Sequence, residues 1–194
     1  MRKLIRKLSD MRGISGFEYR LTDQIADMFK KYCDDVKIDS LGSVIAVKRS
    51  NKPNAPKLMI EAHCDEIGLI VTSITDEGYL TFANVGGVDE RTLPSTEVTV
   101  HGKEDLWGVI GIKPNYLLEQ GKTAKLKELA VDTGLSAEKV KELAAVGDSI
   151  TLAQSVGRLG KKQFSGKSLD DRASVSAIMR VMKNIKDLEI GRAH

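Results

Sequence analysis

The stretch Leu58 to Leu69 begins with the apolar run Leu58-Met59-Ile60 and leads into the ionisable side chains His63, Asp65 and Glu66. An imidazole delivered at the end of such a run is placed to serve as a metal ligand or a base. Residues two apart on extended backbone point the same way, so Asp65 can accept the second ring N–H of His63, fix its tautomer and raise its basicity. Cys64 faces the opposite side and reads as a packed thiol. Far downstream, Ser168-Leu169-Asp170-Asp171-Arg172 puts two carboxylates at the start of an amphipathic helix. Taken alone, each group has a plainer reading: a histidine held by a local hydrogen bond, and an N-cap whose charge suits the helix dipole.

The elements that must position these groups follow from the spacing of apolar residues. Leu58 to Leu69 starts as a strand covered on both faces, and the carboxyl edge of an open α/β sheet is where sites form. Leu4, Ile5, Leu8 and Met11 predict a first helix that Gly13 stops. Ser15-Gly16-Phe17-Glu18 reads as a capping box opening a second helix, with Phe17, Leu21, Ile25, Met28, Phe29 and Tyr32 as its core face. Short strands are expected at residues 36–38 and 44–47, around the turn Asp39-Ser40-Leu41-Gly42. Beyond Gly68 the chain becomes β-rich: strands at 69–74, 79–83, 97–100, 106–112 and 149–152, with a hairpin at Asp76-Glu77-Gly78, predict a small barrel or sandwich. Helical patterns at 123–130 and 136–145 interrupt it, the second capped by Ser136. From Phe164 the pattern returns to α/β type, with Val175, Ile178, Met179, Met182 and Ile185 on one helical face.

Composition excludes several classes. The 194 residues hold 41% hydrophobic and 29% charged side chains, which suits a soluble globular chain. Thirty basic against 27 acidic residues leave a formal charge of +3 and no clustered basic motif, so no nucleic-acid partner is expected. Basic residues interrupt the apolar positions of the first nine residues, and no run approaches the ~20 apolar residues of a membrane span. Two cysteines, Cys33 and Cys64, make no disulfide framework, and a cytoplasmic location is expected.

Ala62-His63-Cys64-Asp65-Glu66-Ile67-Gly68, Asn84-Val85-Gly86-Gly87-Val88-Asp89, Gly108-Val109-Ile110-Gly111, Val131-Asp132-Thr133-Gly134, Val146-Gly147-Asp148 and Ser168-Leu169-Asp170-Asp171-Arg172 stand in an order that resembles the tetrahedral, dinuclear-metal aminopeptidases. These form the glutamyl/leucyl aminopeptidase family, some members of which are labelled endoglucanase M. Ser43 departs from the asparagine that relatives carry after the turn glycine. The resemblance implies an α/β fold: a partial aminopeptidase-type α/β sandwich domain from residues 1–68 and 164–194, with an inserted small β-barrel at 69–163 that mediates subunit contacts. It implies two divalent ions, zinc or cobalt, about 3.5 to 4 Å apart, activating a water for attack on a peptide. His63 would bind one ion, Asp65 would orient it, and Asp170 would bridge the pair. Asp171 and Arg172 would lock their turn locally.

The general-base glutamate and the remaining ligands of that family would follow the point where this chain stops. The chain is therefore expected to be an amino-terminal portion with little activity alone, acting on peptide substrates only when completed. His101 and His194 are not expected to substitute. The alternatives are a non-catalytic assembly or interaction fragment and a metal-dependent amidohydrolase or deacylase. Glycoside hydrolysis fits poorly, since 5% aromatic residues and a single tryptophan offer few sugar platforms.

Overall fold

A computed structural model describes residues 1–112 and 124–186. It divides into two compact units, residues 1–65 with 155–194, and residues 66–154.

In the first unit, α1 (Arg2–Asp10), α2 (Tyr19–Phe29) and α4 (Leu169–Lys186) share one apolar cluster with the hairpin β1 (Asp35–Ile38) and β2 (Val44–Val47). Leu8, Leu21, Ile25 and Met179 are almost wholly buried there, each worth roughly 1.5–3 kcal/mol relative to exposure. The β1–β2 turn closes because the Asp39 carboxylate accepts the backbone N–H groups of Leu41 and Ser43, both at 2.9 Å. Cys64 packs on this cluster, as its place opposite His63 implied.

Three expectations for this unit are corrected. The run Leu58-Met59-Ile60 is extended but joins no sheet among the described residues, and its side chains are 85%, 82% and 50% exposed. A strand needs a neighbour for its backbone, and no described strand lies alongside. The capping box does not form: Glu18 is itself the N-cap of α2, and its carboxylate, rather than capping the helix, accepts Gly16 N–H at 2.9 Å. The Ser15 hydroxyl instead donates to Asp65, a charged acceptor stronger than a backbone partner. Finally, residues 155–163 belong with this unit rather than with the insert. There β9 (Gly157–Leu159) pairs with β10 (Gln163–Ser165), and Val156 N–H reaches the Asp10 carboxylate at 3.3 Å.

The second unit is a closed barrel of strand order β3-β4-β7-β6-β5-β8, with every neighbouring pair antiparallel. Its strands are β3 (Gly68–Ile74), β4 (Leu80–Val85), β5 (Glu97–His101), β6 (Asp105–Ile112), β7 (Leu129–Asp132) and β8 (Ser149–Leu152). Alternation fills the interior: Val98 and Val100 on β5 and Leu106 and Ile110 on β6 point inward, while Trp107 points out. The helix α3 (Ala137–Leu143), capped by Ser136, adds Val140 and Leu143 to the same core.

The helix expected at 123–130 is corrected. Thr123 lies outside the described residues, and the remainder is a 3-10 turn, Leu126–Glu128, followed by β7. Pairing of Leu129 and Val131 with Ile112 and Ile110 closes the barrel and overrides the local pattern. Gly102 is required between β5 and β6, because a Cβ there would stand 2.2 Å from the Leu143 carbonyl oxygen.

Candidate metal centre

His63 lies on the extended segment after the exposed apolar run, and Asp170 lies at the start of α4. Their side chains meet: His63 Nε2 is 3.1 Å from Asp170 Oδ1, and Nδ1 is 3.0 Å from Asp65 Oδ1. The last oxygen of Asp65 accepts the Ser15 hydroxyl. The three groups expected to act together are thus brought together, and Ser15, read from sequence as a cap, joins them.

Local backbone explains why Asp170 is available. Asp170 and Asp171 depart from helical geometry at the head of α4, and regular helix begins beyond them. Asp171 then serves as the cap, its Oδ1 accepting Ser174 N–H at 3.2 Å. Asp170, released from that duty, is 95% exposed and turns to His63. Two adjacent carboxylates therefore have separate tasks.

Arg172 corrects the expectation of a local lock. It is fully buried, and its guanidinium donates to backbone carbonyls remote in sequence: Cys64 at 2.7 Å, Leu8 at 2.9 Å, Ser9 at 3.3 Å, Met11, and Gly13 at 3.4 Å. A planar fork with five N–H groups reaches more carbonyls at once than the three donors of a lysine ammonium can.

The electrostatics of the pair favour a cation. Burial works against protonation of His63, but hydrogen bonds to Asp170 and Asp65 and their charge outweigh it, so its pKa lies above the ordinary value. Burial pushes the Asp65 carboxyl up, while the Ser15 hydroxyl and His63 pull it down, leaving it below the usual range. In the neutral ring with its proton on Nδ1 toward Asp65, Nε2 would present a lone pair to a carboxylate oxygen 3.1 Å away. That arrangement is repulsive unless a proton or a metal ion sits between them. Imidazole nitrogen and carboxylate oxygen are zinc donors at about 2.0–2.2 Å each, so their present separation suits two ligands of one ion. No cluster of three or more His, Cys, Asp or Glu side chains placed to hold a metal occurs among the described residues. His101 does not contribute to this pair: its ring lies in the barrel, bonded to Asp105 and Thr151, both at 2.9 Å. His194 lies outside the described residues.

This pairing on a mixed α/β frame with a closed barrel is accompanied by close likeness to known peptidases. Residues 42–193 match the M42 glutamyl aminopeptidase family, and the chain belongs to that family. It is 33% identical over 195 residues to the lysyl aminopeptidase of Pyrococcus furiosus, covering 96% of this chain and 56% of that one. Among solved structures, it resembles the TET aminopeptidase of the marine sediment archaeon Thaumarchaeota archaeon SCGC AB-539-E09, with a TM-score of 0.90 and 31% identity over 97% of this chain and 55% of that one. It also resembles the Pyrococcus horikoshii TET1 peptidase, which assembles into a tetrahedron or a large octahedral shell. That match has a TM-score of 0.85 and 34% identity, covering 97% of this chain and 57% of the other. The chain spans about half the length of these relatives.

Proposed function

We propose that this chain is the part of a metal-dependent aminopeptidase that supplies one side of its metal centre, for removal of amino-terminal residues from peptides. The observation that carries the reading is that His63 Nε2 stands 3.1 Å from Asp170 Oδ1, with Asp65 on the other ring nitrogen at 3.0 Å. A divalent ion bound there, zinc or cobalt by donor type, would supply an activated water for attack on the first peptide carbonyl. His63 and Asp170 would hold it. Asp65 would keep the proton on the far ring nitrogen and raise the basicity of the near one.

Two ligands fall short of the three or four protein donors of ordinary zinc sites, and membership of a family of longer chains supports the same view. These residues by themselves are expected to show little or no peptidase activity. Two free cysteines suit a reducing, cytoplasmic setting. Homo-oligomer formation through the barrel unit is part of this proposal, and assembly of the P. horikoshii relative into a tetrahedron or a large octahedral shell is what favours it.

The test is cobalt binding, followed by visible absorption and by competition with a chromophoric chelator. The chain should bind weakly, and His63→Ala and Asp170→Asn should each lose at least about tenfold in affinity. Unchanged binding in both variants would remove the metal assignment.

A further inference from the structure

We propose that Ser15 is a positioning residue of this centre: it orients Asp65 so that the His63 proton stays on Nδ1 and Nε2 remains open to a metal. The inference rests on the metal reading above and adds a residue that the sequence presented only as a helix cap.

His63 stands between two carboxylates at nearly equal distance, Asp65 at 3.0 Å from Nδ1 and Asp170 at 3.1 Å from Nε2. The neutral ring has one proton to give. If it sits on Nδ1, Nε2 can coordinate; if it sits on Nε2, the ring donates to Asp170 and both metal donors are spent on each other. Distance alone does not decide between these states. Asp65 differs from Asp170 in being held: Oδ2 accepts the Ser15 hydroxyl while Oδ1 faces the ring. Asp170 is 95% exposed, and water competes for its oxygens. The held carboxylate takes the proton because its oxygen is already aimed at Nδ1.

Ser15 is itself fixed by Arg172. The guanidinium binds the carbonyls of Met11 and Gly13, which lead into Ser15, and the carbonyl of Cys64, which lies between His63 and Asp65. Arg172 also lies two residues beyond Asp170. One buried cation thereby holds three segments that carry the hydroxyl, the imidazole with its carboxylate, and the bridging acid. Ile14 is 1% exposed, so the loop is anchored on the core side while Ser15 itself is exposed. Loss of the Ser15 hydroxyl therefore opens no cavity in the core.

The experiment uses the whole chain with Ser15→Ala and Ser15→Thr. Nitrogen-15 imidazole spectra of the metal-free protein, recorded at alkaline pH where the ring is neutral, report the tautomer. The unsubstituted chain and Ser15→Thr should show His63 chiefly as the Nδ1–H form, and Ser15→Ala should show a rise in the Nε2–H form. Zinc affinity by chelator competition should fall about tenfold in Ser15→Ala and recover in Ser15→Thr, with the melting temperature unchanged throughout. An unaltered tautomer and affinity in Ser15→Ala would overturn the proposal. If the unsubstituted chain binds no zinc yet its tautomer still shifts in Ser15→Ala, positioning by Ser15 stands and the metal reading fails.

Discussion

The His63–Asp65 partnership is written in spacing, because a two-residue step on extended backbone repeats a side-chain direction. Asp170 could be separated from Asp171 only through the family resemblance, since a local pattern allows either acid to cap α4. Ser15 and Arg172 were misread for a shared reason: their partners lie far away in sequence. Ser15 bonds a carboxylate 50 residues distant, and Arg172 reaches carbonyls 108 to 164 residues away. Short motifs such as a capping box describe only neighbours. The cysteines yield a prediction at this scale. Burial pushes both thiols up; for Cys33 Asp34 adds to it and Lys48 opposes it, while for Cys64 Arg172 opposes it. A raised native pKa means this contribution is complete below the ordinary thiol value and is lost as pH rises through the native one. Urea midpoints should accordingly fall above about pH 9 in the native chain, and less in a Cys33→Ser, Cys64→Ser variant. Equal alkaline losses in both proteins would contradict this.

Elements with strong periodicity were legible: α1, α2, α3 and most barrel strands fall close to their sequence positions because one face of each is apolar. The failures were contextual. Residues 123–130 have helical spacing, yet β7 forms because β6 offers a paired edge. Leu58-Met59-Ile60 has strand character and lacks a partner among the described residues. The β3–β4 turn shows how little freedom remains where two elements meet. Gly78 has φ of +92°, and a Cβ there would lie 2.9 Å from the Cα of Ala137 at the start of α3. Gly78→Ala combines an unfavourable left-handed backbone with a clash against main chain, and should cost about 1–3 kcal/mol in urea unfolding. Gly134→Ala provides the control. Its φ is +68° but nothing lies within 4 Å, so the backbone term acts alone and the loss should be smaller.

At the scale of the molecule, glycine-punctuated strands made the insert legible as a barrel or sandwich and the family resemblance chose the barrel, whereas the strand pairs that close it were not legible. Closure depends on which strands meet, here β3 with β8 and β4 with β7, and alternation along one strand says nothing about that. The outer surface carries Trp107 at 58% exposure and Val146 at 65%. A large exposed aromatic is a common anchor of protein interfaces. Trp107→Glu should therefore shift any oligomer toward monomer by light scattering, leaving the barrel's circular dichroism intact. An unchanged mass would place self-association elsewhere.

The pairing of β3 with β8 has a consequence for engineering. Leu69 stands opposite Ile150 in that ladder, so the chain enters and leaves the barrel unit side by side, about 5 Å apart. A unit with adjoining ends has the geometry to be spliced into a surface turn of an unrelated host, or circularised by a short peptide link.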